Sequence, residues 1–164
     1  MEYITSRKNP VMLHIRKLSA DRTYRRKSGE FLGDGVKLLE EAVRWNAPLT
    51  AVVTTPGVPA SPVEGVRRVE VPEDVMASIS PAKTPQGALF LARMPDPAPP
   101  ERLEGDRFLV LDGRQDPGNV GAIWRTADAL VADGLILVNS CADPFSPKTV
   151  RATMGACFRL PVYE

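Results

Sequence analysis

The sequence predicts an α/β protein built in two parts, on three observations. From residue 29 to 94, short apolar strands alternate with amphipathic helices over short connections, the pattern of an α/β sandwich. From residue 108, FLVLDGRQDPGNVGAIWRTADALVADGLILV reads as buried strand, tight glycine-containing turn, helix and second buried strand, a right-handed parallel unit. Between them, residues 95–100 hold four prolines in six positions, a semi-rigid extended linker. The expected division is 1–94, a linker at 95–105, and 106–164.

Each element has a local reason. Asn9 is a good N-cap and Pro10 a good first helical residue, so a helix starts there, with Val11, Ile15 and Leu18 as its apolar stripe and Arg16 and Lys17 turned outward. The positive run 22–27 leads into a short strand at 29–35 bounded by glycines. A second helix is expected at 36–45, with Val36, Leu39, Val43, Leu38 and Ala42 inward, closed by Asn46 and Pro48. The β-branched run 49–54 is a buried strand, 56–65 a loop, 68–71 a short strand, 72–79 a helix and 87–94 a strand. After the linker come a central strand at 108–111, a helix at 120–130, a strand at 135–138, a helix from Ser146-Pro147 to about 156, and a strand at 158–163.

The 164 residues fit one domain or two small ones, and 43% hydrophobic with 25% charged residues is ordinary for a soluble folded chain. No apolar run approaches the roughly 18 residues of a membrane span, and MEYITSRKNP has no apolar signal core, so a cytoplasmic protein is expected. Cys141 and Cys157 have no second pair and no nearby histidine, which excludes a structural zinc site built from this sequence. Cys157, among Met154, Gly155 and Ala156, reads as a packed thiol. His14 reads as a surface helix residue with no partner in sequence.

The overall charge of +1 hides an asymmetry. Arg7, Lys8, Arg16, Lys17, Arg22, Arg25, Arg26 and Lys27 face only Glu2 and Asp21 in the first 27 residues, a net of +6, so the remainder carries −5. Such an arm is either a grip for a polyanion or a solvated basic helix.

In open parallel sheets, ligands gather at the carboxyl ends of strands, where helix N-termini present free N–H groups. The loop from Asp112 to Asn119 lies at such an end. Gly118 lets a ligand approach the backbone, and Asn119 has an amide that serves either as a helix cap or as a ligand contact. Arg125, six residues on, is either a surface ion-pair residue or a long arm reaching back toward the loop. The motif is neither a Walker loop nor GxGxxG, and no Ser/His/Asp set or acidic pair supports hydrolysis.

LDGRQDPGNVGAIWRTADALVADGLILV closely resembles the first motif of the SpoU-type (TrmH-like) RNA 2′-O-ribose methyltransferases, as does DPFSPKTVRATMGACFRLPV after it. ITSRKNP, RRKSGEFLGDGVKLLEEA and the proline-rich join resemble that family's substrate-binding domain, of the ribosomal-protein L30e-like type. The resemblance covers almost the whole chain. It implies an L30e-like sandwich that grips RNA, ribosomal by expectation, and an α/β-knot domain that transfers methyl from S-adenosylmethionine to a ribose 2′-hydroxyl, in a homodimer.

Carried over by position, Asn119 and Arg125 match the motif's asparagine and arginine, and the arginine is the residue the family uses to activate the ribose hydroxyl. A guanidinium with a pKa above about 12 is a poor base, so phosphate clamping and orientation of the nucleophile fit its chemistry better. Lys148, Arg151 and Arg159 are further RNA contacts or solvated charges.

Two later family motifs, a glycine-rich GxExxG-like turn and a closing segment with serine and asparagine, normally build the methyl-donor pocket and tie the knot. Neither follows FRLPVYE, so the expectation is an incomplete α/β-knot with an open edge and an uncovered face, which binds RNA but holds S-adenosylmethionine weakly or not at all. No cofactor-binding residue is assigned. A non-catalytic RNA-binding protein with a vestigial half-knot is the alternative expectation.

Overall fold

In the computed structural model, which describes residues 1–59 and 63–164, the chain divides into two compact units, Met1–Met94 and Pro95–Glu164. The first opens with a two-residue strand β1 (Glu2–Tyr3) and helix α1 (Pro10–Ala20). Asn9 caps that helix as expected, its Oδ1 accepting from the Val11 N–H at 2.9 Å. The buried stripe is Met12, Ile15 and Leu18, with Val11 only half-buried, so the contact face is turned by one residue from the expected one.

A helix the sequence reading lacked follows, α2 (Arg22–Ser28), capped by Asp21 and closed by Gly29 in the left-handed region at φ 68°. Then come β2 (Glu30–Asp34), α3 (Val36–Arg44), β3 (Leu49–Thr54), β4 (Arg67–Glu70), α4 (Glu73–Ile79) and β5 (Ala88–Arg93). Of the loop expected at 56–65, residues 60–62 lie outside the described residues.

The strands form one sheet in the order β1-β4-β3-β5-β2, parallel from β1 through β3 and antiparallel onward. On one face, Leu32, Ala51, Val53, Val69, Leu89 and Leu91 meet Met12, Ile15, Leu18, Val75, Met76 and Ile79 of α1 and α4 in one core cluster. Leu38, Leu39 and Ala42 of α3 are buried as well, and Gly33 has no room for a Cβ because the Phe90 ring fills that space. Each of these fully buried aliphatic side chains stabilises the unit by roughly 1.5–3 kcal/mol.

The second unit contains β6 (Phe108–Asp112), α5 (Pro117–Ala129), β7 (Gly134–Val138), α6 (Pro147–Ala152), a 3-10 turn Ala156–Phe158 and β8 (Val162–Tyr163). Its three strands are parallel in the order β6-β7-β8. The expectation that β6 is a central strand is corrected. It is an edge strand in this sheet, and Val110 is 54% exposed. Leu111, Leu135, Leu137 and Val162 are buried on the other face. The last helix is also shorter than expected, because Met154 and Gly155 both take positive φ and turn the chain.

Residues 95–105, expected as a linker, group with the second unit. The Glu164 N–H donates to the Pro97 carbonyl at 2.9 Å. Asp133 accepts from the N–H groups of Asp106 and Arg107, which hold its carboxyl below the usual carboxylate range. No helix among the described residues is long and apolar enough to cross a membrane.

Candidate functional site

Helix α5 positions the two residues singled out by the sequence. Asp116, not Asn119, is its cap: Asp116 Oδ1 accepts from the Asn119 N–H at 2.7 Å, and Pro117 takes the first helical position. The capping role open to Asn119 is therefore taken, and its exposed side-chain amide remains available to a ligand. Arg125 is exposed as well, and its guanidinium has no partner among the described residues. Six residues separate the two, a rise of about 9 Å with a turn of about 120° around the axis. They flank Ala122 on one i, i+3 ridge, and helical side chains lean toward the N-terminus, which tilts Arg125 toward the Asn119 turn.

The loops beyond β6 and β7 are laced together at the carboxyl end of the sheet. The Asn139 amide donates to Asp112 Oδ1 at 2.8 Å, the Gly113 N–H to the Val138 carbonyl at 2.9 Å, and the Ala142 N–H to the Arg114 carbonyl at 2.8 Å. The Cys141 thiol donates toward the Leu111 and Val138 carbonyls at 3.3 Å while accepting from the Arg114 N–H. Asn139 and Ser140 both hold positive φ, 54° and 60°, a strained pair of non-glycine residues at this mouth.

Helix α6 brings the third element. Gly121 allows α5 and α6 to meet in close contact, since a Cβ there would lie 2.5 Å from both Ala152 Cβ and the Thr149 carbonyl oxygen. The contact places Lys148 Cε 3.8 Å from where a Gly118 Cβ would be, beside the first turn of α5. Lys148 and Arg151 are both exposed. Arg159 is not available in the same way. Its Nε and Nη2 both reach Asp128 Oδ2, at 2.9 and 2.8 Å, in a largely buried ion pair.

Cys157 is half-buried, and desolvation pushes its thiol up to about 12. At pH 9, iodoacetamide is therefore expected to label it at least about a hundredfold more slowly than an unhindered cysteine. The unfolded chain loses this proton near pH 9 and the folded chain near 12, so stability falls as pH rises through that window.

The basic arm sorts into two groups. Lys8, Lys17, Arg22, Arg26 and Lys27 are exposed, Lys17 standing 5.3 Å over the Tyr24 ring. Arg7 is exposed too, but it pairs with Asp74 at 2.8 Å and holds that carboxyl below its usual range. Arg16 does not simply turn outward: it donates to the Ser78 carbonyl and hydroxyl and to the Arg7 carbonyl. Arg25 is 4% exposed, its Nη1 bonded to the Leu18 carbonyl at 2.6 Å. Its guanidinium satisfies carbonyls that the end of α1 leaves open, so the expected display of this charge is corrected.

The sequence reading missed one polar cluster. His14 is half-buried, with Nε2 2.8 Å from Glu30 Oε2 and Nδ1 2.8 Å from the Tyr24 hydroxyl, and Thr50 donates to Glu30 Oε1 at 2.6 Å. No spacing along the chain announces it, because the sheet register brings these residues together. Among the described residues, no group of three His, Cys, Asp or Glu is set to hold a metal.

Residues 106–164 match the SpoU rRNA Methylase family, and residues 9–89 match the MRM3-like substrate binding domain. A Bacillus subtilis protein named 23S rRNA (guanosine(2553)-2′-O)-methyltransferase RlmP is 32% identical over 99% of this chain and 64% of its own length. Human rRNA methyltransferase 3, mitochondrial, is 30% identical over 86% of this chain and 36% of its own. The AdoMet-bound rRNA methyltransferase of Sinorhizobium meliloti superposes with a TM-score of 0.81 at 33% identity, over 99% of this chain and 64% of that one. The chain thus spans less than two thirds of the length of these relatives.

Proposed function

The chain belongs to the SpoU rRNA methylase family, and on that premise we propose that it serves RNA 2′-O-ribose methylation with S-adenosylmethionine as the methyl donor. The observation that carries this reading is the α5 ridge, where an Asn119 amide released from capping stands exposed at the carboxyl end of a parallel sheet and an unpaired Arg125 guanidinium is exposed nearly two turns further along the same helix. S-adenosylmethionine supplies an electrophilic methyl group, and the nucleophile is the ribose 2′-oxygen.

The role of Arg125 is to clamp the neighbouring phosphate and hold the 2′-hydroxyl in line, since a guanidinium stays protonated and makes a poor base. Asn119 orients the ribose, and Lys148 adds a second positive charge beside the same turn. These residues fit the RNA side of such a site. No residue is assigned to S-adenosylmethionine and no step is routed through it.

The same reading takes ribosomal RNA as substrate, in the cytoplasm, with the protein acting as a homodimer. The names of the relatives support the first of these. The RNA grip in Met1–Met94 consists of Lys8, Lys17, Arg22, Arg26 and Lys27, without the buried Arg25. Replacing Arg22, Arg26 and Lys27 together by alanine is expected to weaken binding of a structured rRNA transcript and to lower the slope of log K against log salt by about 2 to 3. An unchanged slope in filter-binding titrations assigns these charges to solubility instead. A non-catalytic RNA-binding protein keeps this result but transfers no methyl group to the RNA.

A further inference from the structure

Alternation along β2 puts Glu30 on the same sheet face as Leu32, the face covered by α1. The register then lays a row across that face: Leu32 opposite Leu91, Leu91 opposite Ala51, Ala51 opposite Arg67. Thr50 falls where the β3–β5 register shifts, an irregularity that re-aims its hydroxyl to Glu30 instead of continuing the alternation. The result is a cleft of about 330 Å³ lined by Pro10, Val11 and His14 on the helix side, Ala51 and Leu91 on the floor, Glu30 and Thr50 at one end and Arg67 at the other. That volume is at the small end of the range for ligand sites.

The polar groups around it have a defined hydrogen-bond direction. A carboxylate only accepts, so His14 Nε2 carries the proton shared with Glu30, and in the neutral ring Nδ1 accepts from the Tyr24 hydroxyl. Thr50 donates to the other carboxylate oxygen. Each oxygen of Glu30 has thus used one of its two acceptor positions and keeps the other, and Glu30 lines the cleft. Arg67 spends Nε and Nη2 on Glu2 at 3.1 and 2.7 Å, while Nη1 has no partner among the described residues. A flat ligand with two adjacent donors at one edge and acceptors at the other fits this arrangement.

We propose that the Glu30–Arg67 cleft binds a guanine base of unpaired RNA, with the guanine N1–H and N2–H₂ donating to Glu30 and its acceptor edge facing Arg67. The base lies against Ala51 and Leu91 under Pro10 and Val11. This rests on the RNA-binding reading of the same unit and adds base selectivity to a charge-only grip. Base-edge hydrogen bonds to splayed nucleotides are how single-stranded RNA is read. Adenine presents an acceptor at N1 where guanine presents a donor, so the acceptor-only carboxylate of Glu30 rejects it.

The test titrates GMP and AMP separately into the isotope-labelled 164-residue chain and follows the backbone amides of Thr50, Ala51 and Leu91. The expected result is that GMP shifts these amides and binds about tenfold more tightly than AMP. Glu30→Gln, which turns one acceptor into a donor, abolishes the preference, and Arg67→Met weakens GMP several-fold with an unaltered spectrum elsewhere. Equal shifts from both nucleotides overturn the proposal, as does GMP binding that leaves these amides unmoved. Should Glu30→Gln disturb the His14 network and unfold the unit, Arg67→Met decides, and unchanged GMP affinity there is fatal. Intact binding of an rRNA transcript without guanine selectivity overturns the cleft assignment alone. Guanine selectivity in a chain that fails to retain RNA overturns the RNA reading alone.

Discussion

Replacing Trp124 by alanine is expected to cost the second unit about 3–5 kcal/mol, close to the whole stability of a small α/β unit. Trp124 is 1% exposed, its Nε1 donates to the Leu160 carbonyl at 3.0 Å, and its ring meets Phe145 edge-on at 6.2 Å between centroids. Truncation removes the aromatic contact, opens a cavity, and strands a buried carbonyl next to β8. Trp45, the other tryptophan, is 47% exposed, so the native emission maximum should move to the red on this change. Urea unfolding followed by circular dichroism checks the magnitude. A loss under about 1 kcal/mol contradicts the assignment of Trp124 as the centre of this core.

Gly121→Ala is expected to be nearly as damaging, at about 2–3 kcal/mol, although it adds one methyl group. The obstruction includes the Thr149 carbonyl, which is backbone and cannot swing aside. Relief requires α6 to move away from α5, and that carries Lys148 away from Asn119. The variant should therefore lose RNA affinity through Lys148 as well as stability, and Lys148→Ala should reproduce the affinity loss without the change in unfolding midpoint. Native stability in the Gly121→Ala variant contradicts the close helix contact.

The parts of this structure that were legible in sequence are those decided within one turn of chain. Asn9-Pro10 announced α1, and the sequence DPGN announced a turn at a strand end, although its cap is Asp116 and not the asparagine. Helix α2 went unread because its charged sequence has no apolar stripe, and its Asp21 cap is visible only once the end of α1 is known.

What depends on neighbours distant in sequence was hidden. A run of positive charge looks the same whether a side chain meets solvent, as at Lys27, or the carbonyls of a helix end, as at Arg25. The apolar run 108–111 looks the same at the centre of a sheet and at its edge, and only the strand order separates the two. The candidate site was half legible. Asn119 and Arg125 came from one helix, whereas Lys148 joined them through the missing side chain of Gly121, and Glu30, Thr50 and Arg67 met through strand register.

The central claim, that this helix face handles the ribose and its phosphate, is tested most directly by Arg125→Ala in a protein spanning the full length of the relatives, in an assay that follows label from S-adenosylmethionine into rRNA. Loss of a group that orients the nucleophile predicts a fall in turnover of about 100-fold, with the affinity for S-adenosylmethionine unchanged. Turnover at the level of the unsubstituted protein, or a collapse of cofactor binding together with the rate, contradicts it.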